Sequence, residues 1–483
     1  MTVGLRAFQA GTVGSGFGAG SEADIAELSK ALEAGYQIGA GRTGGSALRV
    51  ESLEASLKVL TYTSSHVKLW KKMPKSPAYS TVEEYNQLTD YGGEASPFVQ
   101  EGELPQATDA SYVRRTQLVK FLGTTREITH QATLVHPAHG DLIALENQNG
   151  ILWLLSQVER SLFSGDSSLA FDGESEQWDG LDALIDAANV IDLEGNTLQE
   201  ADIEEAANLI IENFGFPTDM FLGTRTMSDL VKTFYPRERI QLPAPMNGQV
   251  GNTIQTMATQ AGVIEFNPDI FIRRTPTPPA AALSPSAPAT PASIAAGAPA
   301  GATGDHNKGA PAGTSNFAYV VTACNRFGES APTAFAGAVT ALTQVQKDAG
   351  NALPLTITNP AVIGAFPPEF FRIYRSAASS SSTVPSSLAS YALIAQVPAS
   401  SQAASGTTSF SDVNLILPFT SSAYLGELTP NVVTFRQLMP LMKMDLAVLS
   451  PAYRWMILLY GTPVLFAPKK WMRFINVGQL SLR

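Results

Sequence analysis

The sequence has one cysteine, few basic residues and no long apolar segment, and each shortage excludes a class of protein. Cys324 alone cannot form an intramolecular disulfide, which fits folding in a reducing compartment. Lys and Arg number 32 against 43 Asp and Glu, a net charge of −11, whereas dedicated nucleic-acid-binding proteins usually carry a basic surplus. No run approaches the ~20 apolar residues of a membrane helix. The first residues lack the basic start and apolar run of a secretory signal.

Recognisable catalytic and metal-binding patterns are also missing. The chain has no phosphate-binding loop ending in Lys-Ser/Thr, no GxSxG, no HExxH and no dinucleotide fingerprint. His130, His136 and His139 lie close in sequence, but their spacing fits no zinc pattern. The acidic run that includes Asp166 and Asp172 lacks the alternation of a calcium loop. We therefore expect no catalytic residue, no metal site and no cofactor, and we favour a structural role.

The clearest element is a helix predicted for DLIALENQNGILWLLSQVERSLF, residues 141–163. Asp141 can cap its start and Gly165 follows its end. Glu159 and Arg160 are assigned to its exposed surface. Apolar side chains recur at three- and four-residue spacings or their sums, as one face of a helix requires. The predicted core of this face consists of Leu142, Leu145, Leu152, Leu155, Val158 and Leu162.

The chain before this helix is mostly extended and polar. Glycine-rich sequence followed by a short amphipathic helix from Ser21 suggests an N-terminal arm, with a disordered tail as an equal alternative. Farther on, the basic run VKLWKKMPKSP precedes two extended arms, Val82–Thr89 and Tyr112–Thr129. They flank a centre rich in Gly and Pro. A loop this long with few apolar residues at its tip is usually functional, or else braced by something outside its domain.

The chain after the helix is acidic, with no Lys or Arg between Arg160 and Arg225. The first predicted element is a helix that begins with a Thr197–Glu200 capping box and ends at Gly215. The strand FPTDMFLGT follows, and then the helix TMSDLVKTF, which Thr226 would cap. This order predicts a small layered α/β subdomain. Its acidic surface should face away from nucleic acid, or meet basic segments such as Lys68–Lys75.

The composition changes at Thr275, where a Pro/Ala/Gly/Ser tract predicts an extended linker. Short strands separated by turn residues over 316–414 then indicate a β-sandwich, in which Tyr319, Val321 and Ala323 alternate. The last segment holds two strand-like runs around a turn at Gly461–Pro463. We expect it to complete the sheet on which the long helix packs.

Taken in order, these parts resemble the Hong Kong 97 fold of tailed-phage major capsid proteins. SSHVKLWKKMPKSPAYSTVEEYNQL is similar to the approach to their extended loop, and EGELPQATDASYVRRTQLVKFLGTTREITHQA to its returning arm. VERSLFSGD with DGLDALI resembles the end of the spine helix and the entry to the axial domain. RWMILLYGTPVLFAPKKW resembles the last peripheral strands. Residues 316–414 instead resemble immunoglobulin or fibronectin type III sandwiches inserted in phage structural proteins, with a permuted strand order left open.

The resemblance implies an α+β fold, namely a Hong Kong 97-like capsid fold with an all-β immunoglobulin-like sandwich insertion. The likeness to the capsid fold covers about residues 50–275 and 425–483. The implied divisions begin with an N-terminal arm over 1–59 and a peripheral domain start over 60–177, which contains the extended loop at about 80–115 and the spine helix at about 139–165. An axial domain over 178–274 and a Pro/Ala-rich linker over 275–315 follow. The sandwich then covers 316–424, and the chain returns to the axial and peripheral domains over 425–483.

The resemblance also implies a structural subunit of an icosahedral phage capsid, not an enzyme. Copies would assemble in the host cytoplasm into pentamers and hexamers that enclose double-stranded DNA without sequence specificity, and would reside in the virion. Portal, scaffold and decoration proteins are further implied partners, with no membrane. The sandwich would project outward and either bind host surfaces or glycans weakly, or stiffen the shell.

Two other classes stay open, a cellular nanocompartment shell holding enzyme cargo and an adhesin or tail-fibre protein. In the capsid interpretation, contacts between subunits involve the basic run and the extended loop. The residues predicted for these contacts are Lys68, Lys71, Lys72, Lys75, Tyr91, Glu94, Phe98, Glu101, Glu103, Arg114 and Arg115.

Overall fold

The computed structural model describes residues 61–92, 98–104, 107–135, 141–171, 176–234, 254–272, 276–335, 338–448 and 450–479. One compact unit comprises Leu60–Leu134 and Ile143–Arg483, and the other, Met1–Val59 with Val135–Leu142, falls mostly outside the described residues. The predicted N-terminal arm, Glu94, His136 and His139 also fall outside them.

The described elements make an α+β fold. Its helices are α1 Leu69–Lys72, α2 His130–Leu134, α3 Leu142–Ser164, α4 Leu181–Leu184, α5 Glu200–Glu212, α6 Thr224–Phe234 and α7 Gln344–Asp348. Its strands are β1 Lys75–Pro77, β2 Val82–Asp90, β3 Ser111–Leu118, β4 Lys120–Thr129, β5 Val190–Asp192, β6 Asp219–Gly223, β7 Thr256–Thr259, β8 Gly262–Asp269, β9 Ser293–Ala296, β10 Ser315–Asn325, β11 Gly328–Glu329, β12 Ala338–Leu342, β13 Leu353–Thr358, β14 Phe370–Ser376, β15 Tyr391–Pro398, β16 Thr407–Asp412, β17 Ser421–Gly426, β18 Val433–Asp445, β19 Ala452–Leu465 and β20 Trp471–Val477.

The long helix lies on a four-stranded sheet of order β1-β18-β19-β4. Strand β19 runs antiparallel to both β18 and β4, while β1 runs parallel to β18. A Cβ atom on Gly150 of α3 would come within 2.5 Å of Ile457 Cδ1 on β19, so the helix backbone approaches the sheet closely there. This confirms that the late strands complete the sheet under the helix.

The predicted turn at Gly461–Pro463 is wrong. Strand β19 continues through it as one strand of 14 residues, and Pro463 stands opposite Phe435 of β18. A Cβ atom on Gly461 would lie 2.4 Å from Phe435 Cε1, so the glycine is there to admit the Phe435 ring and not to turn the chain.

Helix α3 has close to the predicted extent, but its buried face differs from the prediction. Val158 and Leu162 are buried as predicted. Leu154, Glu159 and Phe163 are buried although the spacing rule left them out. The assignment of Glu159 to the surface is wrong, because its carboxylate accepts backbone N–H groups of residues 68–72, which we call the α1 segment. The predicted core residues that are only half-buried are Leu142, Leu145, Leu152 and Leu155.

A six-stranded sheet of order β5-β20-β17-β6-β8-β7 carries helices α5 and α6. Ile203, Ala207 and Ile210 of α5 are buried in its core, as predicted. The predicted start of this helix is wrong, since α5 begins at Glu200 and the Gln199 backbone N–H donates to Asp202 Oδ2 at 2.8 Å. Likewise α6 begins at Thr224 and not after Thr226. Strands β17 and β20 lie in this sheet, whereas β18 and β19 lie in the four-stranded sheet. The last part of the chain therefore contributes strands to both sheets.

The module after residue 275 consists of two facing sheets. One has the order β11-β10-β14-β15 with β12 also paired to β10, and the other has the order β16-β13-β9. Tyr319, Val321 and Ala323 of β10 share the core between them, as their alternation predicted. The linker prediction is wrong for β9, because this strand pairs with β13 and buries Ile294.

Candidate assembly surface

Most side chains of the β2–β3 hairpin are exposed. Its two strands pair antiparallel from Val82 opposite Leu118. Along β2, the side chains of Glu83, Tyr85 and Gln87 are half-buried, whereas those between them are exposed. Strand alternation thus gives the hairpin one face against the body and one face in solvent.

Three contacts hold the inner face of the hairpin to the end of the four-stranded sheet. The Tyr85 ring meets the Phe466 ring edge-on, with centroids 5.0 Å apart. Gln87 Nε2 donates to the Phe466 carbonyl at 2.5 Å, and Arg436 Nε lies 3.4 Å from Glu83 Oε1. Strand β2 is therefore fixed to the body from Glu83 to Gln87.

The loop that joins β2 to β3 exposes large apolar side chains. Tyr91 is 89% exposed and Leu104 is 93% exposed, and Phe98 and Tyr112 are also exposed. Glu101 and Glu103 lie in the same loop with exposed side chains. The predicted contact residues of the loop that fall in the described ranges are therefore each accessible.

The two arginines of β3 lie on the exposed part of the hairpin. Arg114 NH1 is 3.5 Å from Glu84 Oε2 on β2, and Arg114 Nε donates to Asn86 at 3.4 Å. Arg115 stands opposite Tyr85 in the register and is exposed. Exposed pairs of this length contribute little to stability, so both guanidinium groups remain accessible to a further acidic partner.

The basic run Lys68–Lys75 is bonded within the chain more than predicted. Lys72 Nζ lies 2.8 Å from Asp219 Oδ1 and 2.8 Å from Glu265 Oε2. Burial opposes the charge on Lys72, but its bonds to these carboxylates outweigh burial and raise the pKa of Lys72. The expectation that acidic sequence meets this basic run is therefore confirmed within one subunit. Lys72 remains a predicted contact between subunits, although its charge is already paired within the chain.

The neighbouring lysines also have internal partners. Lys75 Nζ donates to the Trp70 carbonyl at 2.9 Å and lies 4.5 Å from the centroid of the Trp70 ring. Lys71 Nζ donates to the Ser64 carbonyl. Both side chains keep exposed surface beside these contacts.

An apolar patch at the end of α5 was missed by the sequence prediction. Phe214 is 87% exposed, and Ile211 and Phe216 are exposed beside it in sequence. Phe214 has φ 60°, the left-handed conformation in which glycine usually ends a helix. The Gly215 N–H donates to the Ile210 carbonyl at 2.9 Å and completes this helix end. The available signal was the pair of phenylalanines in NFGF directly after a polar helix. We call Ile211, Phe214 and Phe216 the α5 patch.

A cluster of buried polar and charged side chains lies inside the sandwich. Arg375 NH1 on β14 lies 2.6 Å from Asp412 Oδ2 on β16, and the Tyr319 hydroxyl donates to the same oxygen at 2.8 Å. All three side chains are buried. Burial alone would raise the pKa of Asp412, but Arg375 outweighs burial and lowers it. The cluster joins strands of both sheets.

The described ranges hold neither a cluster of metal-binding side chains nor a membrane-spanning helix. Those ranges contain no group of three or more His, Cys, Asp or Glu residues that could bind a metal ion. His130 instead packs against Tyr453, with ring centroids 5.8 Å apart. Among the helices in those ranges, none is long and apolar enough to cross a bilayer.

Comparison with known proteins decides the family. Residues 42–287, just over half of the chain, match the family model of the SU10 major capsid protein. The chain belongs to this family. The major capsid proteins of Staphylococcus phage S25-3 and Staphylococcus phage K are each 29% identical to this capsid protein over 474 residues, covering 94% of this chain and 96% of theirs. A solved structure of Gordonia phage Cozz covers 92% of this chain and 98% of that chain, with a TM-score of 0.44 and 9% identity.

The capsid protein is thus a structural subunit of a bacteriophage capsid shell and a component of the virion, and it is not an enzyme. Because the relatives align over 94% of the chain, the β-sandwich lies within the shared region. The match favours the phage capsid interpretation over the cargo-holding nanocompartment and over the adhesin.

Proposed function

We propose that copies of this capsid protein form an icosahedral shell of the Hong Kong 97 fold, as pentamers and hexamers that enclose double-stranded DNA without reading its sequence. The observation that carries the proposal is the β2–β3 loop, which exposes Tyr91 and Leu104 almost completely. Soluble monomers rarely present such apolar groups together without a partner. A neighbouring subunit supplies the cover that the described parts of one chain do not.

The loop contacts are proposed for the residues whose side chains stay accessible. Apolar contact comes from Tyr91 and Phe98, and charged contact comes from Glu101 and Glu103 with Arg114 and Arg115 on the returning strand. Glu94 remains in the proposal although it falls outside the described residues. Lys68, Lys71, Lys72 and Lys75 complete the proposed contacts, and Lys72 is also paired with Asp219 and Glu265 within the chain.

The α5 patch is proposed as a second contact with another copy of this chain. Placing Phe214 at φ 60° costs about 1 kcal/mol relative to glycine, since a Cβ atom disfavours the left-handed conformation. The single folded chain gains little packing from this conformation, because Phe214 is 87% exposed. A shell of many copies provides a surface on which this ring is covered.

The division of the chain supports the same proposal. We assign residues 1–59 to an N-terminal arm, 60–177 to the peripheral domain with α3 as its spine, 178–274 to the axial domain and 425–483 to the return. The sandwich is assigned as an immunoglobulin-like accessory domain that projects outward and stiffens the shell or binds host surfaces or glycans weakly. We extend its proposed start to before residue 316, since β9 pairs with β13. Portal, scaffold and decoration proteins remain proposed partners.

The loop contacts are tested with the double variant Tyr91→Ser, Leu104→Ser in the full-length protein. We expect the variant to fold as soluble subunits and to yield few or no closed shells, because the apolar contact between subunits is lost. Electron microscopy counts the shells, light scattering gives the particle mass, and circular dichroism checks the fold.

The matched control is Phe327→Ser, which removes an exposed aromatic side chain from the sandwich. This control should assemble as the unchanged protein does. Shell yield of the double variant equal to that of the control would refute the proposed loop contact.

A further inference from the structure

Two acidic side chains meet in the interior between helix α3 and the end of strand β8. Glu159 of α3 is 0% exposed and Asp269 of β8 is 1% exposed. Glu159 Oε1 accepts the backbone N–H groups of Lys68 at 2.8 Å and Leu69 at 2.6 Å, and Oε2 accepts that of Trp70 at 2.9 Å. The segment before β1 is therefore bound to the long helix through one carboxylate.

The Asp269 carboxyl has one satisfied oxygen and one unsatisfied oxygen. Its Oδ1 accepts the Phe271 N–H at 2.7 Å. Its Oδ2 is buried and, among the described residues, has no hydrogen-bond donor. Glu159 is the group beside it, and the two carboxyl groups are within hydrogen-bonding contact. Ionised carboxylates only accept hydrogen bonds, so this contact requires a proton.

The need for that proton follows from the groups already present. Both oxygens of Glu159 accept backbone N–H groups, which favours its ionised form. A proton shared between Glu159 and Asp269 Oδ2 would satisfy the unpartnered oxygen and would keep the two carboxyl groups in contact. Without it, two carboxylates would face each other in a buried site, which is strongly unfavourable.

We propose that Glu159 and Asp269 form a proton-binding site, and that their single shared proton fastens the segment Lys68–Trp70 to helix α3. The site holds a proton at neutral pH and releases it at alkaline pH. Release leaves two repelling carboxylates under the segment, so the three backbone hydrogen bonds open. The proposal concerns one subunit and does not depend on the contacts proposed between subunits.

The electrostatics of the surroundings agree that the pair holds one proton, and they favour Glu159 as its carrier. Burial and the neighbouring Asp269 raise the pKa of Glu159 from an ordinary 4.5 to about 8, against the effect of the backbone N–H groups. Burial also raises the pKa of Asp269. The charged groups that face the pair are Lys68, which favours the ionised form of Asp269, and Lys75, which interacts with Glu159. These two cations do not remove the need for a shared proton.

The direction of the pH effect follows from the raised pKa of the pair. A carboxyl whose pKa is higher in the closed state stabilises that state fully below about pH 4.5, and the stabilisation falls as the pH rises toward about 8. Opening of the segment should therefore increase about tenfold per pH unit between about pH 5 and pH 8, then level off.

Amide hydrogen exchange of the full-length soluble subunit tests the site. The exchange of the Lys68–Trp70 amides, corrected for the intrinsic pH dependence of exchange, is measured from pH 5 to pH 9. Asp269→Asn supplies a permanent N–H donor to Glu159 and removes one charge. We expect this variant to lose the tenfold-per-unit slope and to stay closed at pH 9.

Two further variants complete the test. Glu159→Gln cannot accept all three backbone N–H groups, so the segment should open more at every pH and show no slope. Glu265→Gln, at a nearby half-exposed carboxylate that pairs with Lys72, should keep the slope of the unchanged protein. An unchanged slope in Asp269→Asn, or no slope in the unchanged protein, would overturn the proposal.

Discussion

The β2–β3 hairpin and the β-sandwich are both antiparallel β-structure, yet one depends on its surroundings and the other is closed on itself. Along β2 only alternate side chains are half-buried, and the loop beyond it exposes Tyr91 and Leu104. In the sandwich, β10 contributes to a core between two sheets and buries ten of its eleven residues. Local strand structure is thus the same, and the presence of a second sheet decides whether the strands need a neighbour.

The charged pairs of the two regions differ in the same way. Arg114 and Glu84 pair across the hairpin at 3.5 Å with both side chains largely in solvent. Arg375 and Asp412 pair at 2.6 Å inside the sandwich and are almost fully buried. Burial makes a broken pair costly, because the remaining charge is left without water or a partner. Substitutions in the buried pair should therefore reduce the free energy of unfolding much more than substitutions in the exposed pair.

The largest effect is expected for Arg375→Ala. This change leaves Asp412 ionised and buried without its cation, and should destabilise the sandwich by about 3–5 kcal/mol. Calorimetric unfolding of the full-length subunit measures the loss. Because Arg375 holds the pKa of Asp412 below its ordinary 3.8, the unchanged sandwich should keep this contribution above that pH and lose it only as the pH falls further.

Arg326→Ala is the control for that substitution, since Arg326 lies on the sandwich surface and pairs with Glu176 at 3.5 Å. It should leave the unfolding transition within about 0.5 kcal/mol of the unchanged protein. Equal losses from both changes would contradict a closed, self-sufficient sandwich.

An intermediate effect is expected for Lys72→Ala at the junction between the α1 segment and the six-stranded sheet. Lys72 is partly solvated, so screening reduces the value of its pairs with Asp219 and Glu265 to about 1 kcal/mol. A double-mutant cycle with Asp219→Asn measures the coupling. If the cycle gave no coupling energy while shell formation failed, Lys72 would act only in the contacts between subunits.

The smallest effect on stability is expected for Arg114→Ala on the hairpin. Its exposed pair with Glu84 should contribute no more than about 0.5 kcal/mol, so the melting temperature should hardly change. Shell yield should nevertheless fall, because Arg114 is a proposed contact with a neighbouring copy. Glu84→Gln removes the internal pair only and should leave shell yield intact, and a parallel loss in both variants would argue against the intersubunit role.

The helices and most strands could be predicted from the sequence because their signals are local. The spacing of apolar residues located α3, and the alternation along β10 located one face of the sandwich core. The predictions for Gly461 and for the segment around Ile294 were wrong because one local sequence signal fits two different structures. Glycine at a close approach between strands resembles glycine at a turn, and a short strand within a Pro/Ala tract resembles a linker.

The candidate surface was predicted only in part. Sequence indicated an exposed loop and a basic run, but it could not show that Lys72 reaches Asp219, 147 residues farther along the chain. It also missed the α5 patch, since an exposed phenylalanine in a left-handed conformation leaves no periodic signal. Distant pairings of this kind depend on which elements become neighbours.

The sequence alone determined the α+β composition, the long helix, the extended arms before it and a strand-rich module, since local periodicity and turn residues specify them. Only the tertiary structure decided which face of α3 is buried. Spacing placed Glu159 in solvent, whereas the α1 segment and Asp269 enclose it. A carboxylate becomes an interior group when backbone N–H groups from elsewhere in the chain replace its water, and no local pattern records that replacement.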